Sequence, residues 1–252
     1  MRQRLPSLLM IVVVFAGWET ACRLLNVPHY LLPPPSAVAQ ALLNHWPLLL
    51  SSAGQTFRMA LAALAIATLI GGGMAIVVSL HRSAEAAVRP IAVALQVTPV
   101  VAIAPLVVIW VGLDHADRAV IALAAVVAFF PIFSGVLAGL RSADPDLERL
   151  FDLYGAHPLQ RLLRLRMPAA LPFAMEGLRV AAGLAVIGAV VAEFVSGAGS
   201  SQGLAWRLLE AGNRLRTAEM LAALACLMVM GLAFNGVAAA LARWVERQFP
   251  VR

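Results

Sequence analysis

Residues 119–140 read AVIALAAVVAFFPIFSGVLAGL, twenty-two positions without a charge. The hydrocarbon core of a bilayer is about 30 Å thick, so a helix rising about 1.5 Å per residue crosses it with about 20 apolar residues. As a helix the stretch also satisfies its own backbone N–H and C=O groups, which lipid demands. Moving outward in both directions, five more stretches fit the same requirement, at 5–25, 57–80, 91–113, 169–195 and 220–244. The expectation is an all-α, polytopic membrane protein with about six transmembrane helices, in which residues 1–252 form a single transmembrane domain.

Composition agrees. Hydrophobic residues make up 62% of the chain and charged residues 13%, with a mean hydropathy of +0.87, whereas a soluble domain carries about 25% charged residues. The formal charge of +6 does not point to nucleic acid, because the basic residues punctuate apolar runs and do not cluster with aromatics on one face. All 19 basic residues are arginine. Without lysine the chain has neither a phosphate-loop lysine nor a Schiff-base lysine, so any ATP chemistry must reside on another polypeptide. Cys22 and Cys226 both sit in apolar runs and read as small packing residues.

Arginine placement orients the spans, since cytoplasmic loops carry the excess of basic residues. With the N-terminus inside, Arg2, Arg4, Arg82, Arg89, Arg141, Arg149, Arg161, Arg164, Arg166, Arg243, Arg247 and Arg252 are cytoplasmic. Arg23, Arg58, Arg118, Arg207, Arg214 and Arg216 are then outside, twelve against six. Both termini are expected in the cytoplasm. Glu19-Thr20-Ala21 before Cys22 makes a poor cleavage site, so the first apolar run reads as an uncleaved anchor.

The outward loops hold a stiff Pro33-Pro34-Pro35, with Ser36 expected to cap a short helix at 37–43, and an amphipathic interfacial helix at 204–215. Gly71-Gly72-Gly73 suits close helix approach, and Pro99, Pro105 and Pro131 are expected to bend their spans. The inward loop at 141–168 is the longest and most informative. Leu150, Phe151, Leu153 and Tyr154 give a short helix an apolar face in a charged frame that includes Glu148 and Asp152, Gly155 breaks it, and Ala156, His157 and Pro158 lead into a basic segment ending at Met167-Pro168. Exposed apolar area in such a frame reads as a docking surface, with Phe151 and Tyr154 as anchors. At membrane depth Gln96, Thr98, Glu176, Arg179 and Glu193 are the polar candidates. Glu176 and Arg179, three apart, either neutralise one another or line a pathway, and Glu193 either lines a cavity or bonds across a helix interface.

In these residues the chain resembles the permeases of binding-protein-dependent ATP-binding-cassette importers, the nitrate, sulfonate, taurine and pyrimidine-precursor branch. Gly155 and Met167-Pro168 match the spacing of that family's loop signature, and Leu32-Pro33-Pro34-Pro35-Ser36, Ala104-Pro105-Leu106, Phe130-Pro131, Pro168-Ala169-Ala170-Leu171-Pro172, Gly177-Leu178-Arg179 and Val191-Ala192-Glu193-Phe194 follow in family order. The chain departs from the pattern where Arg149-Leu150-Phe151 stands in place of Glu-Ala-Ala, its acids displaced to Glu148 and Asp152. The resemblance implies a type I importer permease fold in a bacterial inner membrane. Residues 150–157 would be a coupling helix seated on a cytoplasmic ATPase dimer, which would carry the ATP and magnesium, so that this chain needs no cofactor and is no enzyme itself. It also implies a second permease copy in a homodimer, an extracytoplasmic solute-binding protein landing on the loops around Ser36 and 197–219, and a small solute, either a nitrate-, sulfonate- or taurine-like anion or a pyrimidine-like heterocycle.

Two rival readings use the same residues. A proton-coupled secondary transporter would employ Glu176, Arg179 and Glu193 without an ATPase. An intramembrane hydrolase would need Ser196 or Ser200 beside a histidine, yet all five histidines fall in loops or at span ends. No Cys/His cluster with metal-ligand spacing occurs in the sequence.

Overall fold

The computed structural model describes residues 5–196 and 202–248, and among them there are helices and connecting turns but no strand. Arg2, Arg4, Gly197, Ser200 and Arg252 lie outside the described residues. The helices are α1 (Leu5–Leu24), α2 (Pro35–Asn44), α3 (Trp46–Ser79), α4 (Arg82–Val97), α5 (Val100–Val111), α6 (Ala116–Leu140), α7 (Pro145–Leu153), α8 (Pro158–Arg161), α9 (Met167–Ser196), α10 (Leu204–Asn213) and α11 (Thr217–Gln248). A five-residue π turn, Leu162–Arg166, joins α8 to α9.

Four helical stretches among the described residues are long and apolar enough to cross a membrane: α3, α6, the run Pro158–Ser196, and α11 as far as Val245. The predicted span at 91–113 is not one helix. Pro99 lacks an N–H and drives Thr98 out of the α region, to φ −68° and ψ 125°, so α4 and α5 meet at 97°. Pro105 and Pro131, by contrast, stay inside continuous helices. The first predicted span corresponds to α1, where Leu9 to Phe15 are each more than half exposed, as on a lipid-facing helix. Helix α3 begins eleven residues earlier than expected, so Arg58, counted above on the outer side at the start of its span, lies more than two turns inside the helix.

The chain divides into two units. The first contains α1, α2, residues 46–55 and Gln202–Val229. Here the expected cap is replaced: Pro34 occupies the N-cap of α2, and Ser36 lies inside its first turn. The Glu19 carboxylate of α1 accepts from the Ser36 N–H at 3.0 Å and from its hydroxyl at 2.8 Å. A charged acceptor at a helix N-terminus satisfies an orphan donor and favours the helix dipole, so the outside carboxylate does what the hydroxyl was expected to do.

The second unit contains the rest of α3, α4 to α9, and α11 from Met230. Its centre is the antiparallel packing of α6 on α9. A Cβ added at Gly139 would stand 2.6 Å from Ala170 Cα, and one at Gly177 would stand 2.6 Å from the Pro131 carbonyl oxygen. Only glycine allows the two backbones so close, and dispersion between them replaces the hydrophobic drive that lipid removes. Of the glycine triplet, Gly71 packs near the Phe129 carbonyl of α6, but Gly72 and Gly73 face open space. Ala67 of α3 completes a cluster with Ala128, Ile132, Ala181 and Ala185. Ala75, Val78 and Ala92 cover the stacked rings of Phe129 and Phe133, whose centroids are 5.6 Å apart.

Candidate functional site

The loop at 141–168 folds as a helical hairpin whose ends are all specified locally. The Asp144 carboxylate accepts from Asp146 N–H at 2.8 Å to cap α7, Pro145 occupies the first helical position, and Asp146 and Glu148 lie in the first turn. At the other end Gly155 takes φ +61°, Ala156 N–H bonds the Phe151 carbonyl and Gly155 N–H that of Asp152, both at 3.0 Å. This is the paired closure of a helix that reverses through a left-handed glycine. His157 then caps α8 reciprocally with Gln160, its Nδ1 accepting from Leu159 N–H at 3.3 Å.

No residue of α7 is buried. Leu153 is 84% exposed and Tyr154 82%, Leu147 and Leu150 are exposed, and Phe151 and Ala156 are half-buried. Of the two aromatic anchors expected, Tyr154 is therefore free on the surface, as is the expected Leu153, and Phe151 faces partly inward.

Ion pairs tie this helix back to the chain. Glu148 accepts from Arg166 Nε at 2.6 Å and lies 3.4 Å from Arg161 Nη1, and Asp152 pairs with the same Arg161. Arg149 pairs with Asp146 in the open at 3.0 Å, a contact worth little. Beside the hairpin an open cavity of about 900 Å3 is lined by Glu85, Arg89, Arg141, Glu148 and Arg166. Within it the nearly buried Glu85 of α4 pairs with Arg141 at the end of α6. Leu162 of the π turn is anchored against Leu140 and Ala170.

Glu176 and Arg179 project from α9, both exposed, with 3.7 Å between Arg179 Nη1 and Glu176 Oε2. They form a pair and at the same time face away from the α6 packing. Glu193 is buried at 1% exposure and accepts from the Thr56 hydroxyl at 2.7 Å, a bond across the α3–α9 interface. Gln96 is exposed in the last turn of α4, and Thr98 at the break donates its hydroxyl to the Ala94 carbonyl at 2.7 Å. The Ser196 hydroxyl is engaged with the Ala192 carbonyl of its own helix at 2.7 Å.

The sequence reading missed Thr56, Glu85, Arg141, Arg161 and Arg166 as partners of these groups. A polar residue such as Thr56 at the edge of an apolar run was the available signal. The arginines had been counted only for orientation.

In the first unit, Arg207 binds Ser52 at 3.2 Å and Glu210 at 3.0 Å beside a cavity of about 150 Å3. Arg214 and Arg216 line the same cavity, and between them an exposed Leu215 is held at φ +55°, closing α10 in the left-handed form that glycine usually provides.

Residues 67–249 match the family model described as binding-protein-dependent transport system inner membrane component. A "Probable ABC transporter permease protein" of Haemophilus influenzae is 36% identical, over 90% of this chain and 91% of that one. The "Formylaminopyrimidine transport permease protein ThiX" of Halalkalibacterium halodurans is 32% identical over 81% and 80%. The "Putative aliphatic sulfonates transport permease protein SsuC" of Bacillus subtilis is 28% identical over 90% and 81%. A crystal structure of an amino acid ABC transporter with histidines superposes with a TM-score of 0.65 at 15% identity, covering 81% of this chain and 97% of the other, so the fold is shared.

Proposed function

The chain belongs to the family of binding-protein-dependent transport system inner membrane components, and from that premise we propose how its parts divide the work. It is a membrane-spanning permease subunit of an ATP-driven importer, which leaves the proton-coupled alternative without support. In our reading α7 and the turn to His157 are the coupling element. Leu150, Leu153 and Tyr154 are its contact face for a cytoplasmic ATPase, which carries ATP and magnesium, and this chain performs no catalysis and holds no cofactor. The observation that carries this is the exposure of Leu153 and Tyr154 on a helix with no buried residue. Contiguous apolar area exposed on a helix and rimmed by charges marks a surface that a partner covers.

Two copies of the chain form the pathway, both termini are cytoplasmic, and Glu176 and Arg179 face the water-filled route. Charged groups that their own chain leaves uncovered at membrane depth need water or a polar partner. Gln96 and Thr98, at the break between α4 and α5, belong to the same route, and Glu193 is structural. An extracytoplasmic binding protein lands on the face carrying Ser36, Arg214 and Arg216. The solute is a small anion of the sulfonate or taurine kind or a pyrimidine-like heterocycle.

Co-purification of the tagged chain from its native membrane tests the central assignment. The unaltered chain should bring down an ATPase subunit, and a Leu153→Asp, Tyr154→Asp variant that inserts with the same thermal stability should lose it. Equal recovery of the ATPase with both chains would refute the assignment of α7 as the contact element.

A further inference from the structure

We infer that Glu148 is the positioning residue through which α7 moves α9, and that the π turn Leu162–Arg166 exists to make this link. The inference rests on the coupling role proposed above. Helix α7 buries none of its own residues and of its apolar side chains only Phe151 turns partly inward, so apolar packing holds it only weakly against the chain. Its side-chain ties to the following segment are charged: Glu148 to Arg166 at 2.6 Å, Glu148 to Arg161 at 3.4 Å, and Asp152 to Arg161.

Arg161 and Arg166 are five residues apart. On an α-helix that spacing sets side chains about 140° apart around the axis, too far round for both to reach one carboxylate. A π turn closes its hydrogen bonds at five residues and so brings such positions onto one side. The turn occupies Leu162–Arg166, the interval between the two arginines. The Glu148, Arg161 and Arg166 side chains are only 21–29% exposed, so solvent screens these pairs less than it does an open pair such as Arg149–Asp146.

Arg166 immediately precedes α9, and α9 runs without interruption for 30 residues to Ser196. A displacement of α7 is thereby passed to the foot of the helix that carries Glu176 and Arg179. Glu148 and Asp152, the acids displaced from the family position, are thus used inside the chain, leaving the apolar face to meet the partner.

The test needs no knowledge of the solute. In the purified complex with its ATPase, with Cys22→Ala and Cys226→Ala, a Val180→Cys reporter on the exposed face of α9 is labelled with a charged maleimide, with and without ATP plus vanadate. The unaltered link should give a nucleotide-dependent change in labelling rate of about tenfold, and Arg166→Glu should reduce it to about twofold or less while the ATPase still co-purifies. The exchange Glu148→Arg with Arg166→Glu should restore most of the response. An undiminished response in Arg166→Glu, a double variant as unresponsive as the single one, or no response in the unaltered complex would each overturn the inference. Failure of the unaltered chain to bring down any ATPase would instead overturn the reading on which it rests.

Discussion

The Thr56 hydroxyl donates to the Glu193 carboxylate at 2.7 Å, joining α3 to α9 across 137 residues of chain, and both residues are at most 1% exposed. A buried carboxylate has no water to replace a lost donor. Thr56→Val, which keeps the shape and removes the hydroxyl, should lower stability by about 1–2 kcal/mol. Thermal unfolding in lipid nanodiscs measures this, with Thr56→Ser expected to lose less than half as much. An unchanged transition in Thr56→Val would show that the bond contributes nothing.

The α6–α9 contact separates glycines that matter from those that do not. Gly177→Ala forces a methyl group against the Pro131 carbonyl and should cost about 1–3 kcal/mol. Gly72→Ala meets nothing within 4 Å and should be neutral, or slightly stabilising through helix propensity. The same unfolding assay on the two variants checks the contrast, and equal losses would mean that the close approach is not what the glycine serves.

Glu85 and Arg141 should behave unequally. Arg141 is half exposed and can turn to water once its partner is gone, whereas the Glu85 side chain is 8% exposed and stays behind as an uncompensated charge. Arg141→Ala is therefore expected to destabilise by about 3 kcal/mol and Glu85→Ala by about 1 kcal/mol. The double variant should resemble Glu85→Ala, and a double-mutant cycle with no coupling would dispose of the argument.

Pathway exposure distinguishes water from lipid. In a Cys22→Ala, Cys226→Ala background, Arg179→Cys should react with a charged methanethiosulfonate reagent. Leu69→Cys, still less covered by the chain at 75% exposure but on the apolar surface of α3, should not react. Similar rates at both positions would remove Arg179 from the pathway.

How much of this was legible in the sequence follows from the range over which each interaction acts. Hydropathy is a local sum, so the apolar stretches other than 91–113 are single helices, α3 starting eleven residues early, and amphipathic helices form in the expected loops, at Pro145–Leu153 where 150–157 was expected and at Leu204–Asn213. Gly155 as a helix stop was readable because its left-handed backbone is a property of one residue. The break at Thr98-Pro99 was underestimated as a bend, since the sequence does not say whether neighbours will hold a proline-bearing helix together, as they do at Pro131, or let it part. Ser36 was misassigned because a carboxylate from 17 residues upstream outcompetes a hydroxyl on the spot. Glu148 with Arg166, 18 residues apart, and Glu193 with Thr56 depend on how the chain returns on itself, which no periodicity encodes.

The π turn makes the phase of a helix into a stored setting. One residue more between Leu162 and Arg166, wound as ordinary α-helix, would set Arg161 about 120° round the axis from Arg166. An insertion of one apolar residue there would thus leave hydropathy, span length and membrane insertion nearly untouched while throwing the two halves of the mechanism out of step, a defect that no hydropathy profile would reveal.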